Sequence, residues 1–145
     1  FKELPLLDRL AAARLQGFDA VEIPFPYESQ PTEIAEALKF HGLRCLAINT
    51  PAGDVPAGDW GLGADPARVR EFKDGVRQAM SFARAIDCPN VHVMAGQPPA
   101  DADRALAWQT YKDNLRWAVS IAKEYGRFPV IEPINMVDRP NYVLQ

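Results

Sequence analysis

The sequence predicts an α/β fold in which helices cover a parallel β-sheet. Three observations support this: helical and strand patterns alternate along the chain, the strands are almost continuously apolar, and the strands end in loops of glycine, proline or polar residues. Right-handed crossovers then leave two architectures, an open doubly wound sheet or a (β/α) barrel. No glycine-rich phosphate-binding loop follows any strand, which weakens the open sheet.

Helical spacing and capping signals define the elements of the first half of the chain. Residues 6–15 carry apolar side chains at helical spacing, and Gly17 supplies the signal of a helix end. Thr32 predicts the start of a second helix, which ends near Phe40. Each of these helices is followed by a short apolar strand, residues 18–23 and 43–49.

The second half of the chain repeats this pattern. Asp65 and Pro66 stand in the order favoured at helix starts, which predicts a third helix over about residues 65–86. Residues 90–99 predict a strand and its exit loop, and a fourth helix follows over about residues 102–125. The inner side of the fourth helix is predicted to consist of Leu106, Leu115, Ala118, Val119 and Ala122.

Composition excludes several classes of function. The 145 residues suit one domain, and 48% of them are hydrophobic, which is enough for a core. The net charge is −3 and the basic residues are scattered, so neither nucleic acid nor membrane is an expected partner. The apolar runs are far shorter than the roughly 20 residues of a membrane span. Cys45 and Cys88 lack metal-ligand spacing, which indicates reduced core residues of a cytoplasmic protein.

The candidate active site centres on Glu132, within the mainly apolar run at residues 130–135. This run predicts a buried strand that gives way to a loop, where a carboxylate is costly to remove from water. In alternating α/β proteins the active site lies at the carboxyl ends of the strands. Glu132 is therefore predicted to bind a metal or move a proton. The structural alternative is a buried glutamate paired with an arginine or with backbone amides.

Polar side chains also stand in the other strands. Glu22 alternates with Val21 and Ile23, which directs it to the opposite face, either toward substrate or into an ion pair between strands. Asn49 ends its strand and is predicted to contact substrate. His92 is a further candidate for substrate contact, although a lone histidine in a strand is more often a core residue with satisfied hydrogen bonds.

The loop after Glu132 carries further candidates. Asn135 and Asp138 are predicted to hydrogen-bond a substrate, or alternatively to cap the turn before Pro140. Arg139 either pairs with a substrate carboxylate or is a solvent-exposed loop residue.

The loop at residues 50–63 is longer than ordinary strand-to-helix connections, which take a few residues. Long loops at this end of a sheet act as lids that keep water from reactive intermediates. Trp60 would cover the pocket in that case, and the alternative is a passive surface loop. Four glycines would permit the lid to move: Gly53, Gly58, Gly61 and Gly63.

Four segments carry a resemblance to a known family: residues 17–22, 49–54, 92–96 and 131–135. In this order they resemble the hydroxypyruvate isomerases and the related 2-oxo-tetronate isomerases, within the xylose isomerase-like TIM barrels. The resemblance implies a (β/α)8 TIM barrel, of which residues 1–145 form a partial domain with about strands two to five. The first strand and the last three strands have no counterpart in this sequence.

The resemblance also implies a chemistry. Glu132 corresponds both to a metal ligand and to one of two acid/base glutamates, and all-oxygen ligation favours Mg²⁺ or Mn²⁺. The implied reaction interconverts hydroxypyruvate and tartronate semialdehyde by metal-assisted proton transfer through an enediolate. Related sugar epimerases often carry an acidic residue six positions after this glutamate, where Asp138 stands.

Several alternatives stay open at this level. A 2-oxo-tetronate isomerase or a ketose 3-epimerase uses the same proton transfer on a longer substrate. A barrel endonuclease would need further histidine ligands and a basic groove, and the sequence shows neither. A catalytically inactive barrel serving as a binding module is the alternative outside the enzymes, and four strands with open edges would favour a homo-oligomer.

Overall fold

The computed structural model describes residues 1–98 and 101–145, in which helices and strands alternate as predicted. Pro99, expected in the exit loop of the third strand, lies outside the described residues. The elements are α1 Leu6–Leu15, β1 Ala20–Glu22, α2 Pro31–His41, β2 Arg44–Asn49, α3 Val69–Ala85, β3 Asn90–His92, α4 Arg104–Tyr125 and β4 Phe128–Val130.

The four strands of the described part form one parallel sheet in the order β1-β2-β3-β4. Each strand pairs with the next in the chain, as in the wall of a (β/α) barrel, whereas a doubly wound sheet reverses its order at a switch point. Paired residues of neighbouring parallel strands lie on the same face. The register therefore aligns Asn49, His92 and Val130 in one row across the sheet.

The other face of the sheet is buried under the helices. Ile48 and Val91 are fully buried and belong to one hydrophobic cluster with Val76 and Met80 of α3. Each such side chain contributes about 1.5 to 3 kcal/mol through removal from water. Cys45 and Cys88, as predicted, are free thiols within this core.

Two helices start at other residues than the sequence predicts, because side-chain carboxylates accept backbone N–H groups at unexpected positions. α2 begins at Pro31 rather than at Thr32, and the Glu33 carboxylate accepts a hydrogen bond of 3.1 Å from the backbone N–H of Gln30. The third helix does not begin at Asp65. That carboxylate accepts the N–H of Ala67 at 2.9 Å in a separate turn, and α3 starts at Val69.

The predicted inner side of α4 is partly wrong. Leu106 and Val119 are 50% and 42% exposed, whereas Ala118 and Ala122 are buried as expected. Buried positions follow a stripe in steps of three and four, displaced from the apolar positions counted in the sequence. The stripe contains Ala107, Tyr111, Asn114, Ala118, Ile121 and Ala122. Tyr111 and Asn114 fit there because each donates a hydrogen bond of 2.8 Å to a backbone carbonyl.

The predicted buried strand around Glu132 is also wrong in its bounds. β4 ends at Val130, and Val130 and Ile131 are 36% and 51% exposed. β4 is an edge strand in the described sheet, so no further strand pairs with its free edge. Glu132 consequently lies two residues beyond the strand rather than inside it. No helix of the described chain has the length and apolar character that a membrane crossing requires.

Candidate active site

The structure brings three of the predicted site residues together at the carboxyl end of the sheet. Asn49 and His92 end neighbouring strands in register, and Glu132 follows β4. Nδ1 of His92 lies 3.3 Å from Oδ1 of Asn49 and 3.6 Å from Oε2 of Glu132. The histidine thus stands between an amide and a carboxylate contributed by strands on either side of it.

The electrostatics of this cluster favour a neutral imidazole. The His92 side chain is 6% exposed, and its burial lowers the pKa of the imidazole, which the Glu132 carboxylate raises only in part. Both atoms near Nδ1 are hydrogen-bond acceptors, so we assign the proton to Nδ1. Nε2 is buried without a partner in the described chain.

Glu132 differs from its neighbour in exposure. Its side chain is 65% exposed, so one face of the carboxylate approaches His92 while the rest is open to solvent. The predicted alternative for Glu132, a buried structural ion pair, is not what the structure shows. Because the neighbouring imidazole is neutral, the exposed carboxylate is not held in a strong ion pair. It can therefore accept a proton or bind a cation without breaking one.

Glu22 lies on the same face of the sheet but in the row below the cluster. It pairs with Ala47, which pairs with Asn90, two residues before His92. Its side chain is exposed and forms no ion pair with a described residue. Glu22 is therefore placed to line the concave face without contacting His92 or Glu132.

Asn135 and Asp138 are engaged with each other in a turn. Oδ1 of Asn135 accepts the backbone N–H groups of Val137 and Asp138, each at 3.0 Å, and its Nδ2 donates to the Asp138 carboxylate. This is the capping arrangement stated as the alternative for these residues. Neither side chain contacts the His92 cluster in the described chain.

The aromatic residue Trp60 connects loops from three strands. Its ring packs edge-on against Phe25, which follows β1, at a centroid distance of 6.0 Å. The guanidinium of Arg139, which follows β4, lies 4.0 Å above the Trp60 ring. The sequence pointed to Trp60 as a cover but missed Phe25, whose only signal was an aromatic residue directly after a strand.

The long loop is held in place by close packing. Asp59 accepts hydrogen bonds of 2.6 Å from the Asp54 N–H and from the Arg68 guanidinium. Gly61 lies so close to Met94 and Gly96 that a Cβ atom there would overlap both. The expectation that its glycines permit movement stays a prediction, and Gly61 has a different physical role, a close approach of two backbones.

Tyr142 anchors the loop after β4 to the loop after β3. Its hydroxyl accepts the Ala95 N–H at 2.9 Å, and its side chain is fully buried. Burial raises the pKa of this tyrosine, so the hydroxyl is neutral at physiological pH. No local sequence pattern indicates this contact, because it joins two loops 47 residues apart.

Tyr142→Phe is expected to lower the free energy of unfolding by about 1 to 3 kcal/mol, because the buried Ala95 N–H loses its acceptor. Urea titration followed by circular dichroism measures this value. Tyr125→Phe is the matched control, since the Tyr125 hydroxyl forms no hydrogen bond in the described chain and it is only partly buried. Equal stabilities of the two variants would show that the Tyr142 hydroxyl contributes nothing to anchoring the loop.

Comparison with known families decides the relationship of the chain. A family model described as xylose isomerase-like TIM barrel matches residues 10–142. The chain belongs to this family. Membership of the xylose isomerase-like TIM barrels confirms the predicted fold class, and the consecutive parallel strands are consistent with part of such a barrel.

Curated relatives carry the names of two isomerases. A putative hydroxypyruvate isomerase of Mus musculus is 41% identical over 150 residues, covering 99% of this chain and 54% of that protein. A 2-oxo-tetronate isomerase of Cupriavidus necator is 43% identical over 144 residues, covering 99% and 55%. The chain therefore spans about half the length of the curated relatives it matches.

Solved structures agree on the fold. A crystal structure titled AP endonuclease, family 2, from Brucella melitensis superposes with a TM-score of 0.93 at 36% identity, covering 99% of this chain and 55% of that one. A D-psicose 3-epimerase superposes with a TM-score of 0.73 at 17% identity, covering 98% and 50%. The second likeness shows the shared barrel architecture alone.

Proposed function

We propose that the protein containing this chain is an isomerase of small oxo-acids that interconverts hydroxypyruvate and tartronate semialdehyde. The observation that carries the proposal is the exposed Glu132 carboxylate, 3.6 Å from the buried imidazole of His92 at the carboxyl end of the sheet. Relatives about 40% identical across this segment carry isomerase names. Isomerisation of a hydroxy-ketone through an enediolate needs a base at such a place, and a carboxylate can serve as that base.

The reaction moves a carbonyl group between adjacent carbons. A base takes a proton from the hydroxymethyl carbon of hydroxypyruvate, and the electron pair of that C–H bond forms the double bond of an enediolate. The carbonyl π pair passes to its own oxygen, which then takes the proton of the neighbouring hydroxyl group. Return of a proton to the former carbonyl carbon gives tartronate semialdehyde. We assign Glu132 one of these two transfers. The Nδ1–H of the neutral His92 donates to Oδ1 of Asn49, which fixes the orientation of the imidazole ring, and the ring lies beside the Glu132 carboxylate.

We further propose that Glu132 supplies one oxygen ligand to a divalent cation, Mg²⁺ or Mn²⁺. Its exposed carboxylate has the chemistry that hard cations prefer. Within the described residues no three His, Cys, Asp or Glu side chains stand close enough to hold a metal, so further ligands would come from elsewhere. A bound cation would polarise the substrate carbonyl.

The remaining predicted contacts follow from position. Asn49 and His92 adjoin Glu132 and are proposed to touch substrate as well as to position the carboxylate. Glu22 faces the same concavity one row lower. Asn135 and Asp138 would reach substrate only through the outer side of their turn. The proposed location is the cytoplasm, supported by the two buried free thiols, and the proposed assembly is a homo-oligomer.

A 2-oxo-tetronate isomerase is the second candidate, since a relative of that name is 43% identical. Its substrate is one carbon longer, and the cluster around Glu132 suits both substrates. The epimerase structures are below 25% identical, so they do not support an epimerase as a third candidate. DNA cleavage is not proposed, because the net charge is −3 and the basic residues are scattered.

Proton NMR of hydroxypyruvate in D₂O with Mg²⁺ tests the proposal on the longest native form of the protein. We expect tartronate semialdehyde to appear with deuterium at the carbon that receives the proton. A parallel assay with 2-oxo-tetronate ranks the two substrates by kcat/KM. Absence of both conversion and deuterium exchange for either substrate would overturn the isomerase and favour an inactive barrel that binds a ligand.

A further inference from the structure

Cationic side chains are scarce where the strands end. The segments that follow the four strands, residues 23–30, 50–68, 93–103 and 131–145, contain two arginines and no lysine. One of them, Arg68, is engaged with Asp59 at 2.6 Å and with Glu71 at 2.8 Å. The other is Arg139, so a negatively charged substrate has a single uncommitted cation available from these segments.

The guanidinium of Arg139 lies over the face of an aromatic ring. It lies 4.0 Å from the centroid of the Trp60 ring, and no described carboxylate forms an ion pair with it. Stacking on an aromatic ring fixes the plane of a guanidinium and leaves the N–H groups at its edge free. Those N–H groups match the two oxygens of a carboxylate in a bidentate pair.

The pair formed by Arg139 and Trp60 also lies at the carboxyl end of the sheet, where the candidate site is. Phe25 follows β1 and Arg139 follows β4, which are the two edges of the described sheet, and Trp60 touches both. These three side chains therefore lie among the loops at the carboxyl end of the sheet. Glu132 and His92 lie at the same end.

We infer that Arg139, oriented by Trp60, binds the substrate carboxylate and determines specificity for oxo-acids over neutral hydroxy-ketones. This inference rests on the proposed isomerase and names the residue that recognises its substrate class. An anion placed next to Glu132 is repelled by that carboxylate, and the Arg139 guanidinium offsets the repulsion. Trp60 is a positioning residue, because it acts through the orientation of the guanidinium.

The test compares the wild type with Arg139→Gln, Arg139→Lys and Arg116→Gln. Arg116 is an exposed arginine of α4 paired with Asp113, so its variant removes the same charge away from the sheet end. The measurements are KM and kcat for hydroxypyruvate, calorimetric binding of tartronate as an unreactive carboxylate, and proton–deuterium exchange of dihydroxyacetone as the neutral substrate.

Arg139→Gln is expected to raise KM for hydroxypyruvate and the Kd of tartronate roughly 10- to 100-fold, the size expected for loss of a charge-assisted pair. The kcat value and the dihydroxyacetone exchange should change less than about threefold. Arg139→Lys should recover part of the affinity, because lysine keeps the charge but not the planar fork. Arg116→Gln should match the wild type.

The outcomes separate the inference from the function on which it rests. An active wild type whose KM and tartronate Kd are unchanged in Arg139→Gln overturns the inference and leaves the isomerase standing. Equal losses in Arg139→Gln and Arg116→Gln overturn it as well, because they would report net charge. An inactive wild type that binds tartronate through Arg139 refutes the isomerase but supports the carboxylate site.

Discussion

Glu132→Gln is expected to reduce kcat for hydroxypyruvate by about 10²- to 10⁴-fold. The amide has the shape of the carboxylate but cannot accept the proton from carbon, and it is a poorer ligand for a hard cation. KM should change much less than kcat, because the lost interaction belongs to the transition state. Initial rates from proton NMR with Mg²⁺ measure the effect.

The same substitution should leave the fold intact. Glu132 is 65% exposed, and its only ion-pair partner in the described chain is His92, so stability should change by less than about 0.5 kcal/mol. Glu124→Gln on the exposed side of α4 serves as the control for loss of one carboxylate. Retention of more than about a third of kcat in Glu132→Gln would remove this residue from proton transfer.

Gly61→Ala is expected to lower the free energy of unfolding by about 2 to 5 kcal/mol. Gly61 has a φ of +105°, where a side chain is strained, and a Cβ atom would lie 2.5 Å from Cβ of Met94 and 3.0 Å from the Gly96 nitrogen. Relief of that overlap requires the long loop to move away from the segment after β3. Trp60 would move with it, and substrate affinity should fall together with stability.

Gly58→Ala separates the two causes of the lower free energy of unfolding, which are backbone strain and steric overlap. Gly58 has nearly the same φ, +104°, but nothing lies within 4 Å of a Cβ atom there. Backbone strain alone should therefore cost Gly58→Ala about 1 to 2 kcal/mol. Urea unfolding monitored by tryptophan fluorescence measures both variants. Equal losses would show that the close approach of Gly61 to Met94 and Gly96 adds nothing to the cost of backbone strain.

Local sequence patterns gave the main elements because their signals act over a few residues. The apolar runs placed the first three described strands, and α1 was predicted with its observed bounds, since hydrophobic spacing and a glycine after the helix are local features. β4 lies at Phe128–Val130, ahead of the run that predicted it. The error at the start of α3 arose where a side chain formed a turn of its own. Asp65 caps a turn before α3 rather than the helix itself, and the sequence does not distinguish the two arrangements.

The candidate site could be predicted in part for a related reason. Glu132, Asn49 and His92 were selectable because polar side chains at the ends of apolar strands are uncommon and costly to bury. Their meeting depends on register, which aligns Asn49 with His92 and leaves Glu132 two residues past β4. The capping role of Asn135 and Asp138 was an equal alternative until the turn geometry was known.

The alternation of helices and strands and the family of the chain follow from the sequence alone, which also selects Glu132 as the candidate catalytic residue. The placement of Arg139 over Trp60 and the hydrogen bond of Tyr142 to the loop after β3 become visible only in the folded chain. The physical reason is the range of the interactions. Hydrophobic periodicity acts within one element, whereas these contacts join loops that are distant in the chain and meet only once the parallel strands have paired in register.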